Sequence, residues 1–200
     1  MYDLKNMEQW LNTDISNIRD RLAGILKEKS LLLAPPGQPF TLASGQTSTY
    51  YINGKKTSCD PQGLLCISRL IWERIQDKPV QAIGGPTLGA DPIVSGVSLF
   101  SQLMGKPIPL FLVRKEAKGH GTQKWIEGPD IEGMNVVMVE DVITTGGSLL
   151  KSIHAVRELN GKIIDLISIV DREQGGREAF AAENLPYSPI FSISELLPNR

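Results

Sequence analysis

Residues 134–148 constrain the fold more than any other part of the chain. They begin with a near-continuous apolar run, which is typical of a β-strand buried on both faces. Glu140 and Asp141 follow, then a loop of small hydroxyl and glycine residues, and apolar residues at helical spacing begin at Leu149. The order strand, small-residue loop, helix predicts a phosphate cradle, because the amides of the loop and the first helical turn converge and the helix dipole favours an anion there.

The acidic pair before the loop distinguishes this segment from other phosphate-binding motifs. The loop does not end in Gly-Lys-Ser/Thr, as a P-loop does, and it lacks the Gly-x-Gly-x-x-Gly pattern of dinucleotide sites. Two adjacent carboxylates could accept hydrogen bonds from neighbouring hydroxyls, as on a ribose, while the loop holds a 5′-phosphate. The alternative is an ordinary strand end whose acids and threonines cap the next helix. Two acids, two threonines and two glycines in succession favour the ribose-phosphate interpretation.

This segment closely resembles the signature of the type I phosphoribosyltransferases, which bind phosphoribosyl pyrophosphate (PRPP). The resemblance implies that the two acids contact the 2′- and 3′-hydroxyls of the ribose and that the following loop surrounds the 5′-phosphate. The implied PRPP-binding residues of the segment are Glu140, Asp141, Val142, Ile143, Thr144, Thr145, Gly146, Gly147 and Ser148.

Length and composition indicate a single soluble domain, residues 1–200. The chain has 41% hydrophobic and 22% charged residues, and its net charge of −1 gives no general attraction to nucleic acid or to a membrane surface. No long apolar span or signal peptide is present, so we expect a cytoplasmic protein. Cys59 and Cys66 do not form a disulfide or metal pattern, and we interpret both as small packed residues.

The N-terminal part predicts a helix followed by a small antiparallel unit. Asp14 is a plausible N-cap for an amphipathic helix, and Pro35-Pro36-Gly37 ends it. Residues 40–56 read as an edge hairpin. Their pattern, Phe-Thr-Leu-x-Ser-Gly-x-x-Ser-x-Tyr, resembles the hood of the orotate phosphoribosyltransferases, which folds over the base. The resemblance places the hood at about residues 31–58.

Alternating strands and helices after residue 60 predict a mostly parallel sheet. Asp60-Pro61 begins one helix, and the predicted strands are residues 80–84, 107–113, 163–170 and 187–192. A second glycine-rich turn, residues 84–92, is by itself only weak evidence for a ligand-binding loop. Beside the first cradle it resembles the family's pyrophosphate loop, which implies Gly85, Thr87 and Leu88 as its contacts.

A basic, glycine-hinged segment follows the second of these strands. Residues 114–124 contain the pattern Arg-Lys-x-x-Lys-x-His-Gly, and such a charge run is usually a solvated surface. The pattern nevertheless resembles the mobile catalytic loop of the orotate enzymes, here about residues 114–128. That resemblance implies pyrophosphate contacts from Arg114, Lys115, Lys118 and His120, with Lys118 and His120 catalytic. It also implies a homodimer with shared active sites.

Arg172 follows the next apolar strand, at the end where ligands bind to open α/β sheets. Its planar fork matches a carboxylate, but pairing with Asp171 or Glu173 is equally compatible with the residues alone. The family resemblance assigns Arg172, together with Thr144, to orotate. We interpret His154, in the helix after the cradle, as a packed residue.

The resemblance as a whole implies an α/β protein of the type I phosphoribosyltransferase fold: a central, mostly parallel sheet flanked by helices, with a small N-terminal hood. The implied reaction joins orotate to PRPP and gives orotidine 5′-monophosphate and pyrophosphate, a step of pyrimidine synthesis. Mg²⁺ is the implied cofactor and would be held mainly by the substrate, because the sequence has no dedicated metal-ligand cluster. A phosphoribosyltransferase for another base, or a PRPP-binding regulator without catalysis, are the alternatives.

Three positions depart from the family pattern. Many members carry lysine at positions 43 and 88 and an aromatic residue at position 52, where this chain has Ala43, Leu88 and Ile52. Two cations near the phosphates are therefore replaced by apolar side chains. Our hypothesis is that Lys55 or Lys56 partly compensates for them.

Overall fold

The computed structural model describes residue 8 and residues 10–41, 47–115 and 125–198. The strands of this part are β1 (Leu31–Leu33), β2 (Phe40–Thr41), β3 (Thr47–Ser48), β4 (Tyr50–Ile52), β5 (Ala82–Pro86), β6 (Leu110–Val113), β7 (Ile126–Glu127), β8 (Asn135–Ile143), β9 (Lys162–Asp171) and β10 (Tyr187–Ser192). Its α-helices are α1 (Ile15–Ile25), α2 (Lys55–Ser58), α3 (Pro61–Ile75), α4 (Asp91–Leu103), α5 (Gly147–Glu158), α6 (Gly176–Ala182) and α7 (Ile193–Leu196). A π-helical turn, Leu26–Ser30, continues α1.

The central sheet has the strand order β10-β9-β8-β5-β6-β7. Every neighbouring pair is parallel except β6 and β7, which confirms the predicted mostly parallel sheet. The chain passes from β5 to β6 on one side of β5, whereas β8, β9 and β10 extend the sheet on the other side. The direction of the strand order therefore reverses between β5 and β8, and a crevice is expected outside the carboxyl ends of these strands.

Helices cover both faces of the sheet, because the residues of β8 alternate between two apolar clusters. Val137 and Val139 pack in one cluster with buried residues of α1, α3 and α4. Val136 and Met138 pack in the other with α5 and α6. This alternation is the period of two that a strand imposes, and it fixes β8 as the central strand of a three-layer domain.

The two predicted helix starts are confirmed. The Asp14 side chain accepts a hydrogen bond from the amide of Ser16 at 2.8 Å, which caps α1. The Asp60 side chain accepts from the amides of Gln62 and Gly63 at 3.1 and 3.0 Å, and Pro61 occupies the first turn of α3. Each cap satisfies amides that have no acceptor within the helix.

The hood, formed by β1 to β4, is partly as predicted. β2 and β3 form the expected antiparallel hairpin. The strand β1, which pairs with β4, was not predicted, and the helix ends at Ser30 rather than at the prolines. Lys55 and Lys56 begin α2 instead of extending the hairpin. Ala43 lies outside the described residues.

Several strand ends differ from the prediction. β5 continues to Pro86, so Gly85 is a strand residue rather than part of a turn. β8 continues to Ile143, which places the acidic pair inside the strand. Strand β7, at the end of the predicted catalytic loop, pairs with β6 and was missed. In each case a neighbouring strand satisfies the backbone, and this pairing overrides the local glycine and polar residues that predicted a turn or loop.

Two side chains that we expected to be packed are exposed. His154 is exposed because it lies off the face of α5 that carries the buried Ile153 and Val156. Cys59 is also exposed, whereas Cys66 is buried, and both thiols are free. No helix in the described ranges is both long enough and apolar enough to cross a bilayer.

Candidate active site

The predicted site residues that the structure describes lie at the carboxyl ends of β5, β6, β8 and β9. Thr87 and Leu88 follow β5 and share a cavity of about 550 Å³ with Arg114 and Lys115, which follow β6. Ser148, beyond β8, lines a cavity of about 650 Å³ that also contains Arg114 and Lys115. These cavities lie at the reversal of strand order, as expected for a ligand crevice in an open α/β sheet.

A smaller cavity, of about 200 Å³, lies between the hood and the ends of β8 and β9. Asp141 and Thr144 line it from β8 and the following loop, and Arg172 lines it from the end of β9. Residues 51–55 close it from the hood side. The structure therefore brings both predicted orotate contacts, Thr144 and Arg172, into one cavity beside the acidic pair.

The acidic pair is nearly inaccessible to solvent. Glu140 and Asp141 are each 6% exposed. Burial, reinforced by the neighbouring Asp141 carboxylate, raises the pKa of Glu140 to about 9. The shift favours the protonated form of Glu140 in the free protein. A buried acid with such a displaced pKa at a strand end is a candidate functional group.

The loop after β8 has the geometry of an anion site. Gly146 has φ +81° and precedes α5, whose first turn is not capped by any side chain. The first hydrogen bond of the helix runs from the Leu150 amide to the Gly146 carbonyl, at 2.9 Å. The amides of Gly147, Ser148 and Leu149 thus have no acceptor within the helix. Together with the helix dipole, these amides favour a bound phosphate. The predicted order of strand, loop and helix is confirmed.

Replacing Gly146 with alanine is expected to weaken PRPP binding by about tenfold, since a left-handed conformation costs a residue with a Cβ about 1–2 kcal/mol. The new Cβ would also lie 2.9 Å from the Phe180 ring, so the loop must shift. Isothermal titration calorimetry with PRPP measures the effect. Gly105→Ala is the control, because Gly105 has φ +74° in open space on another surface. Equal PRPP affinity for Gly146→Ala and Gly105→Ala would contradict the assignment of the loop.

The turn after β5 packs directly on the acidic pair. An ideal Cβ at Gly89 would lie 2.5 Å from both Glu140 Oε1 and Asp141 Oδ1. An ideal Cβ at Gly85 would lie 2.1 Å from the carbonyl oxygen of Val139. Glycine at these two positions therefore lets the predicted pyrophosphate loop approach the predicted ribose site. Leu88, at the tip, is 69% exposed.

The guanidinium group of Arg172 contains buried donors that have no partner among the described residues. Its Nε and Nη2 atoms are buried and make no hydrogen bond within the part of the chain that the structure describes. Its Cζ atom lies 5.2 Å from the centroid of the Tyr50 ring in the hood. Buried donors are nearly always paired, so the two buried nitrogen atoms of Arg172 that have no partner indicate that this side chain binds a ligand.

The alternative for Arg172, an ion pair with a neighbouring acid, is not what the structure shows. Asp171 is 3.6 Å from Arg177 instead. Glu173 accepts hydrogen bonds from the amide and hydroxyl of Ser194, both at 3.2 Å. The arginine is held by its backbone, whose amide donates to the Ile143 carbonyl at 2.8 Å, while the side chain remains available.

Two hood residues, one beside Arg172 and one in the cavity wall, were missed by the sequence analysis. Tyr50 stacks on Arg172, and Asn53 lines the cavity with a buried Oδ1 atom that has no partner among the described residues. Both lie in or just after the hood motif, which is the only sequence signal that could have identified them. Lys118 and His120, the predicted catalytic residues, lie outside the described residues.

The described residues contain no group of three or more His, Cys, Asp or Glu side chains that could hold a metal ion. The acidic pair supplies two carboxylates at the crevice, and oxygen ligands are those that Mg²⁺ prefers. This donor set fits a metal ion that receives most of its ligands from a bound phosphate compound rather than from a protein cage.

A parallel sheet with an acidic pair, an uncapped helix N-terminus and a glycine turn at its switch point defines a phosphoribosyltransferase. In agreement, a family model described as a phosphoribosyl transferase domain matches residues 60–181. The orotate phosphoribosyltransferase of Nostoc sp. is 44% identical over 92% of this chain and 87% of its own length. That of Aquifex aeolicus is 42% identical over 90% of this chain and 97% of its own. The chain belongs to the orotate phosphoribosyltransferase family.

A solved structure supports the same assignment. The crystal structure of the Mycobacterium tuberculosis orotate phosphoribosyltransferase in complex with PRPP is similar, with a TM-score of 0.74 and 32% sequence identity. The match covers 90% of this chain and 98% of that one. The fold is therefore that of the type I phosphoribosyltransferases, as predicted from the sequence.

Proposed function

We propose that the crevice at the switch point is where this chain transfers the phosphoribosyl group of PRPP to orotate. The observation that carries this assignment is Arg172, which lines the same cavity as Thr144 and Asp141. Its buried Nε and Nη2 atoms have no hydrogen-bond partner among the described residues. Orotate is a pyrimidine that carries a carboxylate, and a planar guanidinium binds a carboxylate through two parallel hydrogen bonds. A cavity beside the acidic pair places such a base next to the ribose.

The phosphate and ribose groups of PRPP take the remaining positions. The amides around Gly146 and the hydroxyls of Thr145 and Ser148 hold the 5′-phosphate, because they surround an uncapped helix N-terminus. Glu140 and Asp141 hold the ribose hydroxyls. The turn containing Gly85, Thr87 and Leu88 receives the pyrophosphate, which its close packing on the acidic pair supports.

In the reaction, N1 of orotate forms a bond to the anomeric carbon of the ribose while the bond from that carbon to pyrophosphate breaks, and the proton of N1 is released. Positive charge develops on the ribose and negative charge on the leaving group. Cations directed at the pyrophosphate stabilise this state more than the ground state. Arg114 and Lys115 lie in the cavity of the pyrophosphate turn, and we assign this role to them together with Lys118 and His120.

Mg²⁺ is the cofactor of the proposed reaction. It would be held mainly through pyrophosphate and ribose oxygens, with the acidic pair nearby. When bound, it neutralises part of the pyrophosphate charge.

We also propose that residues 1–200 act as one domain, with the hood over the base and the loop of residues 114–128 over the pyrophosphate. The enzyme works in the cytoplasm as a homodimer with shared active sites, without nucleic-acid or membrane partners.

The proposed function is tested by following orotate consumption by its ultraviolet absorbance, with PRPP and Mg²⁺ present. We expect turnover with orotate and none with adenine, hypoxanthine or uracil, and a collapse of turnover in Lys118→Ala. Turnover with another base in place of orotate would show a different specificity. PRPP binding without any turnover would identify a regulator instead.

Shared active sites have a separate test. At an orotate concentration near the wild-type KM, Lys118→Ala and Arg172→Ala subunits are each expected to be nearly inactive. If the loop acts on the partner's site, mixed dimers contain one intact site, and equal mixing restores about a quarter of the wild-type activity. No recovery after subunit exchange, or a monomer in sedimentation analysis, would contradict the shared site.

A further inference from the structure

Lys55 is the cation that lies next to the acidic pair. Its Nζ atom is 3.3 Å from Asp141 Oδ2, and among the described residues no other basic side chain makes an ion pair with Glu140 or Asp141. The two residues are 86 positions apart in the chain. This contact distinguishes Lys55 from Lys56, which is exposed and has no side-chain partner in the described ranges.

The backbone of Lys55 is fixed at the rim of the crevice. The preceding Gly54 packs so closely that an ideal Cβ there would lie 2.9 Å from Val142 Cγ2 and 3.0 Å from Asp141 Cβ. The helix α2 that Lys55 begins is anchored by the buried Thr57, whose hydroxyl lies 2.7 Å from that of Ser30. The lysine is thus positioned by packing on the strand that carries the acidic pair.

The amine, in contrast, is free to change partners. The side chain of Lys55 is 52% exposed, whereas that of Asp141 is 8% exposed. An ion pair with one half-exposed partner contributes little to stability, so a ligand that offers more charge can displace it. When ribose hydroxyls donate to the Asp141 carboxylate, the amine is released within reach of the groups attached to that ribose.

The pyrophosphate turn lacks a cation of its own. Residues 84–90 contain no lysine or arginine, and the apolar Leu88 occupies the exposed tip. This turn contacts the acidic pair at Gly89, next to Asp141 Oδ1, while Lys55 contacts Oδ2 of the same carboxylate. The amine and the turn therefore lie beside different oxygens of one carboxylate, which the proposed function assigns to the ribose.

We propose that Lys55 is a PRPP-binding residue: in the free enzyme it pairs with Asp141, and on PRPP binding its amine moves to the pyrophosphate oxygens, in place of the cation that position 88 lacks. This inference rests on the proposed function, and it extends that function by assigning a residue of the hood segment to the leaving group. One lysine would thus link base, ribose and pyrophosphate sites.

The test compares PRPP with ribose 5-phosphate, which lacks the pyrophosphate, by isothermal titration calorimetry. Lys55→Met is expected to weaken PRPP binding by about tenfold, the size of one charge-assisted hydrogen bond, and to change ribose 5-phosphate binding less than twofold. Lys55→Arg should restore most of the PRPP affinity. Lys56→Met, one residue further on the same helix, should bind both ligands as the wild type does.

Each other outcome overturns the inference in a recognisable way. Equal weakening for PRPP and ribose 5-phosphate would show that Lys55 acts only through Asp141. Unchanged PRPP affinity in Lys55→Met would show that the amine stays away from the ligand. A wild-type protein that fails to bind PRPP would overturn the proposed function itself. Thermal unfolding of each variant confirms that the comparison is made on folded protein.

Discussion

Replacing Arg172 with alanine is expected to lower kcat/KM for orotate by at least about a hundredfold, because each charge-assisted hydrogen bond contributes about 1.5–3 kcal/mol and two are lost. The loss should appear mainly in KM for orotate. PRPP affinity should stay within about twofold, since the guanidinium of Arg172 is assigned to the carboxylate of orotate and not to a group of PRPP. Steady-state kinetics with varied orotate, and calorimetry with PRPP, measure the two effects separately.

Two further variants show whether the charge or the planar shape of Arg172 is responsible for orotate binding. Arg172→Lys keeps the charge but loses the planar fork, and it should fall between the wild type and Arg172→Ala. Arg177→Ala removes a nearby arginine that is 58% exposed and pairs with Asp171, and it should leave KM for orotate unchanged. An Arg172→Ala enzyme with wild-type KM for orotate would show that the carboxylate binds elsewhere. Replacing Arg172 removes no ion pair among the described residues, so we expect the variants to fold.

The features that could be predicted from the sequence are those whose signals lie close together in the chain. The phosphate loop is one: its strand, acids, glycines and helix are all contained in residues 134–158. The helix caps at Asp14 and Asp60 are others, because a cap needs only a side-chain acceptor beside a helical pattern. Such local rules survive in the structure because packing does not oppose them.

The features that could not be predicted depend on contacts between distant residues. The residues alone left two equal interpretations of Arg172. Its contact with Tyr50, and the pairing of Asp171 and Glu173 with other residues, decide between them. The pairing of Lys55 with Asp141 has no local signal at all. Strands of two or three residues, such as β1 and β7, are too short to show a period of two.

The errors at strand ends have the same origin. Gly85 belongs to a sequence that reads as a turn, yet it pairs with Leu112 of β6. Val142 and Ile143 pair with the last residues of β9 and extend β8 beyond the acids. Sheet pairing with a neighbour decides where a strand stops, and that neighbour is not visible in the local sequence.

Replacing Glu140 with glutamine is expected to stabilise the free protein at alkaline pH. The pKa of Glu140 is raised from 4.5 to about 9, first by burial and then by the adjacent Asp141. Between these pH values the folded protein keeps a proton on Glu140 that the unfolded chain has lost, so folding takes up a proton. The free energy of unfolding therefore falls as the pH rises, by at most about 1.4 kcal/mol per pH unit.

Glutamine does not titrate, so the variant lacks this contribution. Thermal unfolding from pH 5 to pH 9 should show little difference from the wild type at pH 5 and a growing gain above it, on the order of 10 °C in Tm at pH 8. Glu132→Gln, at an exposed position, should follow the wild-type pH dependence throughout. If the stability of Glu140→Gln fell with pH as steeply as that of the wild type, Glu140 would be ionised in the folded wild-type protein. The gain in stability should bring no increase in PRPP affinity, because the glutamine has one acceptor oxygen fewer for the ribose. The wild-type protein would then keep a buried acid that lowers its stability because that acid binds the ligand.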